Sequence, residues 1–218
     1  MNTPLRRVGI AIAMMFALLF LSSSYVQVIA SEDIANDDRN VRKLYESFSA
    51  ERGQILAGGI PIAESIPVDN QFRFLRTYPY AEIYAPVVGY YTLTQGNAGI
   101  ESAMNPLLTG RANSQLVEKL RALVTGSTPQ GASVMLSIDP EIQQVAWDAL
   151  GDRRGSVVIL EPSTGRILAM VSKPSYDPNL LAAHSSSSVL SAYLELSDDP
   201  ENPLANRAIA GDLYFPGS

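Results

Sequence analysis

No cysteine occurs among the 218 residues, which excludes a disulfide framework, a thiol nucleophile and thiolate metal sites. Histidine is almost as scarce. The single His184 stands in a serine-rich run with no apolar surround to hold an imidazole in a Ser-His-Asp triad. One histidine and scattered carboxylates also offer no metal-ligand spacing. No metal and no cofactor are expected. Positive charge is in deficit: 16 Lys and Arg against 22 Asp and Glu give a formal net charge of -6. With no basic stripe to neutralise phosphates, nucleic acid is not an expected partner. The lysines, Lys43, Lys119 and Lys173, never follow a serine at i+3, and Ser-x-Asn and internal repeats are absent as well. Compartment and function must therefore be read from what is present.

The one long apolar run is N-terminal. Arg6 and Arg7 precede an apolar stretch over 8–21 that continues through Ser22-Ser23-Ser24 and Tyr25 to Val28, Ile29 and Ala30. As a helix, about 23 such residues span roughly 30 Å of hydrocarbon. Acidic residues follow, Glu32, Asp33, Asp37 and Asp38. The positive-inside bias then predicts a cytoplasmic tail over 1–7, a transmembrane anchor over 8–30 in contact with plasma-membrane lipid, and an extracytoplasmic remainder. The alternative is a cleaved signal peptide, with Val28-x-Ala30 ahead of Ser31 as the small-residue site.

Beyond the anchor, Ile34, Val41, Leu44, Tyr45 and Phe48 recur at near-helical spacing in a charged stretch, which reads as a helix or solvated stalk. Apolar alternation over 51–63, broken by Gly58-Gly59, predicts a hairpin. Alternation resumes over 71–76, and Val87-Val88-Gly89-Tyr90-Tyr91 predicts a buried strand. Glu101 stands near the start of a helical pattern over 99–110, where by itself a glutamate favours the helix dipole or solvent. Leu116, Leu120, Leu123 and Val124 mark a short amphipathic helix over 114–124, and the polar run over 125–131 marks a boundary. A strand over 132–138 should feed a helix capped by Asp139, with Pro140 at its first position and Glu141 in its first turn. That helix is expected to bury Ile142, Val145, Ala146, Ala149 and Leu150 and to end at Gly151. Strands over 157–160 and 167–171 flank the turn Pro162-Ser163-Thr164-Gly165. From His184 to Pro203 the pattern suggests a polar loop followed by irregular or weakly helical chain.

Several of these segments resemble one family, the class B penicillin-binding proteins and among them the actinobacterial type. Glu51-Arg52-Gly53-Gln54-Ile55 resembles the Arg-Gly-x-Ile opening of their pedestal, with Ala57-Gly58-Gly59 in place of the usual Asp-Arg-Asn/Asp-Gly turn. Arg76-Thr77-Tyr78-Pro79, resembling their Arg-x-Tyr-Pro segment, Val87-Val88-Gly89-Tyr90 and Gly99-Ile100-Glu101 with Asn105, Leu108 and Gly110 follow the same pedestal in order. The stretches over 134–144 and 155–179 resemble the start of the transpeptidase domain. Finally, Asn206-Arg207-Ala208, a short spacer and Phe215-Pro216-Gly217-Ser218 resemble the run that delivers the acyl nucleophile.

The resemblance implies an α+β protein: a single N-terminal transmembrane helix, a mixed α+β pedestal over 31–125, a linker over 126–131 and the N-terminal part of a transpeptidase domain over 132–218. It implies that Ser218 stands at the nucleophile position, attacking the D-Ala-D-Ala carbonyl of a peptidoglycan stem peptide or a β-lactam. In the family the motif glutamate ties to arginines of the first two motifs, so Arg52 and Glu101 are implied to pair as a structural lock. Arg52, Gly53, Gly99 and Glu101 would then be structural rather than catalytic.

In the family the nucleophile begins Ser-x-x-Lys, and the lysine activates it. The chain as given carries no such lysine, so in this form it is expected to be inactive. Ser163-Thr164-Gly165 is a turn and does not supply the family's later Lys-Thr-Gly motif. A rival reading is a non-enzymatic, membrane-tethered pedestal that docks division or elongation proteins. The hairpin over 157–171 offers about eight large apolar side chains; if half face outward, the unburied share is worth roughly 6–12 kcal/mol. Domain stability is itself about 5–15 kcal/mol, so 132–218 alone is expected to fold poorly.

Overall fold

The computed structural model describes residues 2–25, 48–110 and 131–210. The chain divides into two compact units, Met1–Tyr45 and Glu46–Ser218. In the first, helix α1 (Asn2–Ser24) contains the span Arg6–Ser24, long and apolar enough to cross a membrane. The expected end of the anchor over 26–30, the stalk to residue 47 and the amphipathic pattern over 114–124 lie outside the described residues.

The second unit opens with strands β1 (Ile55–Ala57), β2 (Ile60–Pro67) and β3 (Phe74–Thr77). β1 and β2 form the expected hairpin around Gly58-Gly59, with Ala57 opposite Ile60. The register shifts at Ile55/Leu56, so Ile62 is the extra residue of a bulge, and both it and Ala63 are buried. β4 (Val134–Leu136) then joins β1 in parallel, giving a four-stranded sheet in the order β3-β2-β1-β4. A strand from the second half of the sequence thus completes the sheet of the first.

Three helices pack beside it: α2 (Ala81–Val88), α3 (Gly99–Ala103) and α4 (Asn105–Leu108). Here the expected strand over 87–91 is corrected. Val87 and Val88 form the last turn of α2, and Tyr91 makes only an isolated bridge with Asn97. Tyr84, Ala85 and Val88 are buried at helical spacing, so packing of that face overrides the strand preference of the paired valines.

Asp139 caps α5 (Pro140–Leu150) as expected, its Oδ1 accepting from the amides of Glu141 (2.9 Å) and Ile142 (3.2 Å). Its buried face is rotated from the expected one. Val145 is 66% exposed and Ala149 is exposed, whereas Gln143 and Ala146 are buried and Trp147 packs on the core. The cause lies across the interface. The Gln143 amide accepts from Met170 N–H (2.9 Å) and donates to the Met170 carbonyl (3.0 Å) and the Ile83 carbonyl (2.9 Å), which draws a polar side chain to the centre of the face.

β5 (Gly155–Leu160) and β6 (Ile167–Lys173) form the expected antiparallel hairpin. Val157, Ile159, Ala169 and Val171 pack against α5, while Val158 and Leu160 are exposed. The edge of β6 away from β5 is covered by side chain and backbone groups. Ser137 Oγ donates to the Ile167 carbonyl, Asp139 N–H to the Leu168 carbonyl, and Gln143 takes both groups of Met170.

Helices α6 (Asn179–Ala182) and α7 (Ser186–Asp198) follow. Of the two readings of the segment up to Pro203, irregular or weakly helical, the helical one holds, and it begins within the expected polar loop. Ser185 Oγ accepts from Ser188 N–H as an N-cap, and Val189, Ala192, Tyr193 and Leu196 recur at helical spacing. Ala192, Tyr193 and Leu196 pack with Tyr90, Tyr176 and Leu181. The main core joins Ile55, Ile62, Tyr78, Val88 and Leu108 to Ile138 and Ala182, so both halves of the sequence share it.

Candidate functional site

Among the described residues of the second unit the deepest charge is Glu101, in the first turn of α3, with 0% relative exposure. Two buried guanidinium groups close on it. Arg52 Nε donates to Oε2 at 2.6 Å and Arg76 Nε to Oε1 at 2.6 Å. Arg52 also donates to the Glu101 carbonyl (2.7 Å) and Asn105 Oδ1 (2.7 Å), and lies 4.2 Å from the centroid of the Tyr91 ring. Arg76 donates to the Gly53 carbonyl (2.9 Å). The second positive charge is thus spread over carbonyl, amide and aromatic acceptors. Tyr78 completes the cluster by donating to Glu101 Oε1 at 3.3 Å. Burial, reinforced by the Glu101 charge, raises its phenol well above the usual tyrosine range.

Two glycines make this arrangement possible. A Cβ at Gly53 would lie 2.0 Å from the Ala132 carbonyl oxygen, because the 51–54 backbone runs directly against the 131–134 backbone. Gly99 has φ 58° and enters α3 hard against α2, where a Cβ would stand 2.6 Å from the Val87 carbonyl oxygen.

A second arrangement surrounds the run over 206–210. Helix α2 contains Pro86, which supplies no N–H to the Glu82 carbonyl one turn back; Ser175 Oγ donates there instead, at 2.7 Å. The Ile83 carbonyl receives Gln143, and the Pro86 carbonyl, near the C-terminal end of α2, receives Asn206 Nδ2 at 2.7 Å. Asn179 brackets the entry to the helix, accepting from Tyr78 N–H (2.9 Å) and donating to the Tyr78 carbonyl (3.0 Å). On the other side of the run, Ser172 Oγ on β6 accepts from Arg207 N–H (3.0 Å) and donates to the Ala205 carbonyl (3.3 Å). The buried Arg207 guanidinium donates to the carbonyls of Glu201, Asn202 and Ala205.

Of the residues singled out in the sequence, Arg52, Gly53, Gly99 and Glu101 lie together, and Ser218 lies outside the described residues. His184 departs from its expected setting. Its ring is 4.4 Å from the Phe72 ring centroid and 6.4 Å from that of Phe48, with Nδ1 3.1 Å from Asn70 Nδ2, so it does have an apolar surround. Burial lowers its pKa, and nothing in these contacts makes a triad. Arg76 is the arginine of the second pedestal motif, and the structure brings it to Glu101 as the resemblance implied. Asn206 was quoted within Asn206-Arg207-Ala208 without a role, and Gln143 was given no role because no local pattern marks its long-range partners. Among the described residues, no three His, Asp or Glu side chains are grouped to hold a metal ion.

Residues 52–134 match the domain family described as the penicillin binding protein A dimerisation domain, and 155–218 match the penicillin binding protein transpeptidase domain. The peptidoglycan D,D-transpeptidase PbpA of Mycolicibacterium smegmatis is 47% identical over 223 residues, an alignment covering 100% of this chain and 45% of the relative. PbpA of Mycobacterium tuberculosis is 44% identical over the same shares. A solved structure of penicillin-binding protein A from M. tuberculosis, an imipenem acyl-enzyme complex, superposes with TM-score 0.73 at 46% identity. The match covers 75% of this chain and 39% of that one. The penicillin G acyl-enzyme complex of the same protein gives TM-score 0.70 at 47% identity, over 73% and 38%. The chain thus spans less than half the length of the curated relatives it matches.

Proposed function

Because this chain belongs to the class B penicillin-binding proteins, we propose that the protein works as a membrane-anchored D,D-transpeptidase of peptidoglycan, with Ser218 as its acyl nucleophile. The observation that carries the reading is the pinned run of Asn206 and Arg207, which leads in sequence to Pro216-Gly217-Ser218. Ser218 Oγ would attack the D-Ala-D-Ala carbonyl of a stem peptide, forming an ester and releasing the terminal D-Ala. The amine of a second stem peptide would then take the acyl group and return the proton to the serine. A β-lactam would enter by the same attack, its ring amide opening without a departing group, which leaves the acyl-enzyme trapped.

The remaining parts divide accordingly. α1 anchors the protein in the plasma membrane with Arg6 and Arg7 on the cytoplasmic side, and the second unit works outside. Arg52, Gly53, Gly99 and Glu101 hold the pedestal over 31–125 and take no part in the chemistry, since the polar atoms of Arg52 and Glu101 are spent on each other, on Arg76, Tyr78 and Asn105, and on backbone. The linker over 126–131 and the transpeptidase segment from 132 onward complete the division.

Labelling the membrane-bound protein, expressed from its whole gene rather than as the 218-residue chain, with fluorescent penicillin, followed by peptide mapping, tests the chemistry. The adduct is expected on the peptide carrying Ser218, and an adduct elsewhere, or none, overturns the reading. The topology has its own check, made clean by the absence of cysteine. Asp69→Cys, on an exposed loop, should react with a membrane-impermeant maleimide in intact cells. Protection of that cysteine until lysis would reverse the orientation.

A further inference from the structure

The loop between β2 and β3 meets the α6–α7 junction through side chains 114 positions apart, Asn70 Nδ2 lying 3.1 Å from His184 Nδ1. What each side chain does elsewhere fixes its role in this contact. Asn70 Oδ1 accepts from Phe72 N–H at 2.9 Å, and because a backbone amide only donates, Asn70 must turn its NH2 group toward the ring. Nδ1 can meet that donor only as an unprotonated acceptor, so the ring proton sits on Nε2. Nε2 is itself buried, with the Phe74 backbone near it but outside hydrogen-bond geometry.

The surroundings also favour a neutral ring. His184 packs 4.4 Å from the Phe72 ring centroid, and Phe48 on its other side stacks on Tyr91 at 4.3 Å. The elements around the ring carry Asp69 and Arg73 on the loop and Glu51 beyond Phe48, all exposed, and the half-buried Asp177 ahead of α6. Arg52 lies over the Tyr91 ring and is paired with Glu101, while α7 opens on uncharged serines, 185–188. Among the described residues none of these charges forms an ion pair with His184. The loop is held in a conformation that side chains disfavour, since Arg73 has φ 63°.

We propose that Asn70 and His184 form a proton-sensitive clasp: protonation of Nδ1 sets a ring N–H against an amide donor that cannot turn round, and the β2–β3 loop is released from the α6–α7 junction. Turning the amide over does not rescue the contact, because its NH2 group would then face Phe72 N–H. Asn70 is exposed, so protons reach Nδ1 from water without prior unfolding. The opened imidazole takes its proton near the ordinary 6.5 while the clasped one resists it, so the clasp is intact above that value and weakens as pH falls below it. An opened group of that pKa limits the gain in opening at about pH 5 to about 30-fold over neutral pH.

The test uses the membrane-anchored protein expressed from its whole gene, with His184→Gln and Asn70→Asp. Amide hydrogen exchange is followed at about pH 7.5 and about pH 5 and corrected for the intrinsic pH dependence of exchange. In the wild type, peptides over 68–74 and 183–189 should lose protection at the lower pH, several-fold and at most about 30-fold, while peptides around Arg52 and Glu101 keep theirs. His184→Gln offers Asn70 an acceptor that does not titrate, and its protection should be the same at both values. Asn70→Asp keeps an acceptor for Phe72 N–H and turns a carboxylate oxygen to the ring, so protonation now makes an ion pair. The sign should reverse, with greater protection at the lower pH.

No acid loss in the wild type, an equal loss in His184→Gln, or loosening of Asn70→Asp by acid overturns the proposal. A loss spread evenly over the second unit overturns it too, because that is general acid unfolding. If one variant does not fold, the other decides, and failure of both gives the pair a structural role in place of a sensing one.

Discussion

Glu101 shows how one buried residue can hold three segments whose sequence separations are 25 and 49 positions. Taking a carboxylate and two guanidinium groups out of water costs several kcal/mol per ion, so the cluster need not be worth much relative to an apolar replacement. Breaking it is another matter. Glu101→Ala would leave Arg52 and Arg76 buried without a carboxylate, and a loss of about 3–5 kcal/mol in chemical denaturation is expected. Tyr78→Phe removes the 3.3 Å bond to Oε1, which Arg76 still occupies, and the hydroxyl's contact with the Tyr91 backbone, so about 1–2 kcal/mol is expected from the same measurement. The contrast separates a charge effect from simple loss of contact.

His184 makes the pH-dependent prediction. Burial against Phe72 and near Phe48 lowers its pKa below the ordinary 6.5. The unfolded chain therefore binds a proton in a range where the folded chain resists it, and stability rises with pH across that range. This contribution is fully present above about pH 6.5 and shrinks as pH falls through that value toward the lowered folded pKa. Melting temperatures between about pH 5 and 8 should fall toward the acid end, and His184→Gln should flatten that slope. An unchanged slope in the variant would assign the acid sensitivity to other groups.

At the scale of elements, the close approach of two backbones decides more than any propensity. Gly53 faces the Ala132 carbonyl at a distance no side chain tolerates, and its own amide donates to the Leu108 carbonyl at 2.9 Å. Gly53→Ala should therefore force β1 away from β4 and cost at least the roughly 1–3 kcal/mol typical of overpacking, with loss of protection for the Val134 amide in hydrogen exchange. Substitution at Gly59, where a Cβ meets nothing within 4 Å, lacks that clash and leaves only its turn conformation to disturb. α2 illustrates the complementary case. Its carbonyls at Glu82, Ile83 and Pro86 each receive a side chain from beyond residue 140, so this short helix is held by its neighbours rather than by its own length.

Among the described residues of the second unit, those before and after the 126–131 stretch share one core. Ile138 and Ala182 sit in the core with Ile55 and Val88, β4 pairs with β1, and Asn179, Ser175, Gln143 and Asn206 all bond across. At about 1 kcal/mol for each such bond, plus roughly 1.5–3 kcal/mol for each large apolar side chain unburied, separation removes energy comparable to a whole domain's stability, about 5–15 kcal/mol. Residues 132–218 expressed alone should show no cooperative thermal transition by circular dichroism. A sharp two-state melt of that fragment would contradict the shared core.

What the sequence by itself determined is whatever local chemistry decides. Gly58-Gly59 between alternating apolar residues specifies a hairpin, Asp139-Pro140 specifies a helix start, and the apolar run after Arg6-Arg7 specifies a helix long enough to cross a membrane. Each depends on residues within a few positions of one another. The motifs around Arg52, Glu101 and Asn206 identified the family for the same reason, as ordered patterns legible without contacts. Tertiary structure alone decided that Val87 and Val88 lie in a helix, that α5 turns Gln143 and not Val145 inward, and that the segment after Ser185 is helical against Tyr90 and Tyr176. It also decided that Asn206 reaches Pro86 and Gln143 reaches Met170. In each case the deciding partner lies far along the chain, and a buried polar group or weak helix takes its place only when that partner satisfies its hydrogen bonds or covers its apolar face.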